Sequence, residues 1–104
     1  RNKIAHWRDA MNNAKSDGER VVAWGAGSKG NTFLNLVGQD VSAIVDINPK
    51  KRGKFVAGTG QPILAPEELA KNPPSTVVIM NPVYRAEIAR CLDELGIKAR
   101  LQVA

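Results

Sequence analysis

Arg20-Val21-Val22-Ala23-Trp24-Gly25-Ala26-Gly27-Ser28-Lys29-Gly30 is the stretch on which the fold turns. Four consecutive apolar residues with no polar alternation suit a strand buried on both faces, as in a parallel sheet. The glycines behind them follow the spacing Gly25-x-Gly27-x-x-Gly30. In that spacing the first glycine permits a tight turn, the second lets backbone approach a phosphate, and the third lets the following helix pack on the strand. Unsatisfied amides at the start of that helix then face an anion. Ser28 and Lys29 either add a hydroxyl and a charge to such a phosphate site or stand as exposed residues of the helix start. A glycine turn that serves packing alone is the competing reading. Downstream, Phe33, Leu34, Leu36 and Val37 supply the apolar side of a helix that Gly38 can end, and Val41 to Asp46 reads as the second strand. The whole is a βαβ unit.

From Asn48 to Pro62 proline, glycine and basic residues break the pattern. An irregular or hairpin-like excursion is expected there, anchored by Phe55-Val56 and Pro62-Ile63-Leu64. Pro66 with Glu67 and Glu68 opens a short helix that stops before Pro73, because proline needs no amide partner there and carboxylates suit the positive end of the dipole. Thr76 to Met80 is the third strand. Asn81-Pro82 caps and opens a helix whose apolar face is Tyr84, Ile88, Cys91, Leu92 and Leu95, with Gly96 as its stop. Lys98 to Val103 alternates polar and apolar like a half-exposed edge strand. Right-handed crossovers order these strands 2-1-3-4. The expected fold class is therefore α/β: a Rossmann-like three-layer α/β/α domain over residues 19–104, with a mainly parallel sheet of about four strands. Residues 1–18, with Ile4, Trp7, Met11 and Ala14 on one face, read as a linker or docking helix. A start at Arg1 that runs straight into this pattern suggests a piece of a longer polypeptide.

Ligands of open α/β sheets bind beyond the carboxyl ends of the strands where the strand order reverses. The Gly25–Gly30 turn and the Asn81–Arg85 turn should flank that crevice. Asp46 closes the second strand, where it either accepts hydrogen bonds from a ribose diol or caps the turn at Asn48-Pro49. Asn81 and Tyr84 either reach a base or sugar or serve as helix cap and core. Cys91 is read as inert core and His6 as surface. No nucleophile-base-orienter set and no pair of carboxylates with acid/base logic is visible, so the domain alone is expected to catalyse nothing.

Composition narrows the classes further. With 104 residues the chain suits one hydrophobic core. No stretch nears the ~18–20 uninterrupted apolar residues of a membrane span, so no membrane partner is expected. One cysteine and one histidine exclude an internal disulfide and a cysteine-based zinc site. The net charge of +5 comes from 15 basic against 10 acidic residues, and four of the basic ones crowd into Lys50, Lys51, Arg52 and Lys54, but aromatics are only 5% and no nucleic-acid module is recognisable, so solvated lysines explain the run. A cytoplasmic setting is expected.

The runs Trp24-Gly25-Ala26-Gly27-Ser28-Lys29-Gly30-Asn31-Thr32, Val45-Asp46-Ile47-Asn48-Pro49-Lys50-Lys51, Gly53-Lys54-Phe55-Val56, Gly58-Thr59, Pro62-Ile63 and Pro66-Glu67-Glu68-Leu69 appear in that order. Together they resemble the C-terminal domain of sugar C-methyltransferases. The resemblance implies a zinc-binding N-terminal domain and a central S-adenosylmethionine-binding domain elsewhere in the parent chain, acting on a nucleotide-linked keto sugar. It implies no cofactor in this domain, which would help hold the sugar nucleotide at the interface with the preceding methyltransferase domain. Carried over by position, Gly25, Gly27, Ser28, Lys29, Gly30 and Asn31 form the family's glycine loop, and Asp46, Asn48 and Pro49 its second motif. After Met80 the sequence departs from the family, with Asn81-Pro82-Val83-Tyr84 in place of an apolar or aromatic stretch. An NAD(H)-binding regulatory or redox module and a ligand-free interaction domain are the alternatives from other classes. Binding of S-adenosylmethionine here is not expected, because the usual methyltransferase fold needs about seven strands.

Overall fold

The computed structural model of the chain describes residues 20–25, 34–35, 41–51, 53–56 and 58–103. Among these, five strands form one sheet: β1 (Val21–Trp24), β2 (Ala43–Val45), β3 (Ile63–Leu64), β4 (Thr76–Ile79) and β5 (Arg100–Val103). Their spatial order is β3-β2-β1-β4-β5, and every pairing is parallel. The four strands expected from the sequence thus stand in the expected order. The correction is the fifth, β3, which pairs outside β2 through Ile44 with Ile63 and Val45 with Leu64. Two residues are too few to carry a periodic signal, so this strand exists because β2 offers it a free edge. The excursion before it is hairpin-like as expected, closed by an antiparallel bridge between Phe55 and Pro62.

Successive side chains of a strand point to opposite faces, which explains why β1 is apolar at every position. Val21 and Ala23 face one core with Leu34, Val41, Ile44, Ile63 and Val78. Val22 and Trp24 face a second core with Val45, Leu69, Val77, Ile79, Ile88 and Leu92. Both faces are buried, so a polar substitution at any apolar position of β1 or β4 would take a polar group out of water.

Helical segments cover the two faces. Leu34 and Asn35 are helical, and Leu34 is buried in the first core. The rest of that expected helix, with Phe33, Leu36, Val37 and its stop Gly38, lies outside the described residues, as do the opening helix of residues 1–18 and Arg52 of the basic run. On the second face, Pro66–Lys71 forms a 3-10 helix and seats the fully buried Leu69. Its start is held by the Glu68 carboxylate, whose Oε2 accepts from the Ala65 N–H at 2.7 Å. Pro82–Tyr84 forms a second 3-10 turn that leads into helix α1 (Arg85–Glu94), which buries Ile88 and Leu92. The chain moves from β1 to β2 in one direction across the sheet and from β4 to β5 in the other. Right-handed crossovers therefore put Leu34 and α1 on opposite faces.

Candidate functional site

Strand β1 ends against its two neighbours. The Gly25 N–H donates to the Val45 carbonyl at 2.8 Å, and the Met80 N–H donates to the Trp24 carbonyl at 3.2 Å. Gly25 takes φ +116°, and a Cβ built on it would stand 3.3 Å from the Met80 Cβ. The turn residue must be glycine for both reasons, conformation and the closeness of the segment after β4. Its amide is spent in the sheet, so Gly25 shapes the turn rather than offering a donor to an anion. Gly27, Ser28, Lys29, Gly30 and Asn31, the remaining residues chosen for the glycine loop, lie outside the described residues.

Beyond the carboxyl ends of β1 and β2 a cavity of about 400 Å³ opens toward α1. Trp24 and Gly25 form its floor at the end of β1, and Asp46 and Ile47 form a wall at the end of β2. The opposite wall comes from the segment after β4: Tyr84, Glu87, Ile88 and Cys91, with Arg90 and Glu94 also lining it. Since the strand order reverses between β1 and β4, this is the crevice where open parallel sheets bind ligands. Three residues chosen from the sequence, Gly25, Asp46 and Tyr84, meet there.

The other two described choices do not line the cavity. Asn48 is a turn residue: its N–H donates to Asp46 Oδ1 at 2.8 Å, and its own Oδ1 accepts from the Lys50 N–H at 3.0 Å. Two consecutive side-chain-to-backbone turns thereby hold the chain leaving β2. The Asp46 carboxylate is the turn acceptor, as the capping reading has it, and it also lines the cavity. Asn81 caps the helix, its Oδ1 accepting from the Val83 N–H at 3.1 Å.

Tyr84 corrects an expectation. Its spacing from Ile88 places it on the apolar face of α1, yet it is 51% exposed. The 3-10 turn over Pro82–Tyr84 advances about 120° per residue, not 100°, and so rotates Tyr84 out of phase with Ile88 and Leu92. Cys91 is likewise not deep core but a half-buried part of the cavity wall. Burial pushes its thiol pKa up, the nearby carboxylates of Glu94, Glu67 and Glu87 push in the same direction, and Arg90 opposes them. The sulfur is held protonated and is a poor nucleophile.

Sequence reasoning passed over Ile47, Glu87, Arg90 and Glu94. Glu87, Cys91 and Glu94 stand four and three residues apart, one stripe of the helix beside Ile88, so the pattern was present once that stripe was known to face a crevice. Among the described lining residues the charges are lopsided, with Asp46, Glu87 and Glu94 against Arg90. Among the described residues no three histidine, cysteine, aspartate or glutamate side chains converge as metal ligands, and no helix is long and apolar enough to cross a membrane.

Residues 2–99 match the family model described as the C-methyltransferase C-terminal domain. A curated relative, the C-methyltransferase NovU of Streptomyces niveus, is 30% identical over 87 residues, which cover 81% of this chain and 21% of the relative. The chain spans about a fifth of that relative's length. A match over nearly every residue, joined to a parallel sheet with its crevice at the strand-order reversal, identifies this chain as a member of the C-methyltransferase C-terminal domain family.

Proposed function

We propose that this domain holds the nucleotide-linked sugar substrate of a C-methyltransferase and catalyses nothing by itself. The observation that carries the reading is the convergence of Gly25, Asp46 and Tyr84 on one cavity at the strand-order reversal. A carboxylate at the end of β2 suits a sugar hydroxyl, which needs an acceptor, and the apolar and aromatic walls suit a planar base. The methyl donor, S-adenosylmethionine, and the zinc associated with the family are assigned to other domains of the longer protein. For zinc, that assignment is supported by the single cysteine and single histidine of this chain. The preceding methyltransferase domain is the proposed partner and would close the open side of the cavity. The reading includes a cytoplasmic setting, with neither membrane nor nucleic acid as partner.

Calorimetric titration with dTDP, UDP, GDP, NAD and S-adenosylmethionine tests it. A preference for one nucleoside diphosphate is expected. Preference for NAD would replace the reading with a redox or regulatory module, and silence from all five would leave an interaction domain. Asp46→Asn retains the Oδ1 acceptor of the turn but removes the charge. It should weaken nucleotide binding about tenfold, the worth of one charge-assisted hydrogen bond, with the fold kept.

A further inference from the structure

Resting on the nucleotide-sugar reading, we infer that Glu87 and Glu94 orient the ligand: they admit its nucleoside end into the cavity and turn its diphosphate outward. The cavity has room for one such end, about 400 Å³, and its surfaces are of two kinds. Trp24, Ile47, Tyr84 and Ile88 are apolar or aromatic, which suits a base and the carbon face of a ribose. Among the described lining residues the acidic side chains are Asp46, Glu87 and Glu94 and the basic one is Arg90, so a phosphate laid against α1 would meet more negative than positive charge. Cations stand instead in the turn that follows the Asp46–Ile47 wall, where Lys50 and Lys54 are exposed. That turn is fixed in place by the Asn48 and Lys50 amide bonds to the Asp46 and Asn48 side chains.

Chemistry points the same way. A keto sugar awaiting a methyl group must reach a donor that another domain carries, so the sugar end has to leave this cavity rather than fill it. The end that remains is the nucleoside. Asp46 then accepts from the ribose, and the two α1 carboxylates act as the electrostatic filter that prevents the reversed pose. Neither is required by the fold, since both are exposed on α1 while Ile88 and Leu92 anchor the helix.

The chain has two tryptophans, so in a Trp7→Phe background Trp24 alone reports on the cavity floor. Thymidine, uridine, dTDP, UDP and inorganic pyrophosphate are titrated against its fluorescence, with calorimetry in parallel. The nucleoside and its diphosphate should change the Trp24 signal, and pyrophosphate should not. In the double variant Glu87→Gln with Glu94→Gln, affinity for the diphosphate should rise about threefold to tenfold, while affinity for the nucleoside stays level. Pyrophosphate competing with the nucleoside at Trp24, or a double variant that weakens diphosphate binding, would overturn the orientation and leave the binding reading standing. So would calorimetric binding of dTDP or UDP with no response from Trp24. Absence of any nucleotide binding by calorimetry would remove both.

Discussion

Gly25→Ala is the substitution that separates a glycine kept for architecture from one kept for ligand approach. At φ +116° a side chain is strained whatever space surrounds it, which costs about 1–3 kcal/mol. The new Cβ would also stand 3.3 Å from the Met80 Cβ. Met80 cannot simply retreat, because it is buried and its N–H is bonded to the Trp24 carbonyl. Displacing it loosens the link between β1 and the segment after β4, so the total is about 2–4 kcal/mol. For a domain of this size that lowers Tm by roughly 10–25 °C. Gly53→Ala is the matched control: φ there is +78°, and nothing lies within 4 Å of an added Cβ. It should cost only the backbone penalty, about 1 kcal/mol. Urea unfolding followed by circular dichroism measures both, with an unchanged slope as the sign that the unfolded state is the same. If Gly25→Ala proved no more destabilising than Gly53→Ala, the contact with Met80 would not be limiting, and the architectural account of Gly25 would be wrong.

Other substitutions test the remaining contacts. Leu69→Ala removes a fully buried side chain from the core beneath α1 and should cost about 2–5 kcal/mol in the same unfolding assay. Asn81→Ala removes the acceptor for the Val83 N–H and should cost about 1 kcal/mol, with faster amide exchange in the first turn of α1 as its local signature. Because the Cys91 pKa lies above its ordinary value, the thiolate fraction at neutral pH is smaller than in a free thiol. Alkylation by iodoacetamide should therefore be slower than for an unfolded control and should rise toward alkaline pH. Glu94→Gln removes the largest of the carboxylate contributions, so it should lower that pKa and speed alkylation. An unchanged rate profile would show that Glu94 does not act on Cys91.

The chain's order of elements was legible before its structure because each rests on local chemistry. The unbroken apolar runs at Val21–Trp24 and, after Thr76, at Val77–Ile79 announce strands covered on both faces, and the Asn81-Pro82 pair announces the helix behind them. Right-handed crossovers then leave one spatial order for β2, β1, β4 and β5. Asp46 was legible as a candidate because it is the polar residue that ends a buried strand.

Tertiary contact decided the rest. Ile63–Leu64 becomes a strand only because β2 presents unpaired backbone beside it, a condition set by residues about twenty positions away. Tyr84 leaves the apolar face because two helix types of different pitch meet at Arg85, which no single period describes. Glu87, Cys91 and Glu94 are ordinary helix residues until α1 is laid across the ends of β1 and β2, and only then do they line a cavity. Periodicity along a chain reports which side of an element is covered. What a residue faces is fixed by segments distant in sequence, since a crevice belongs to the packing of three elements and to none of them alone.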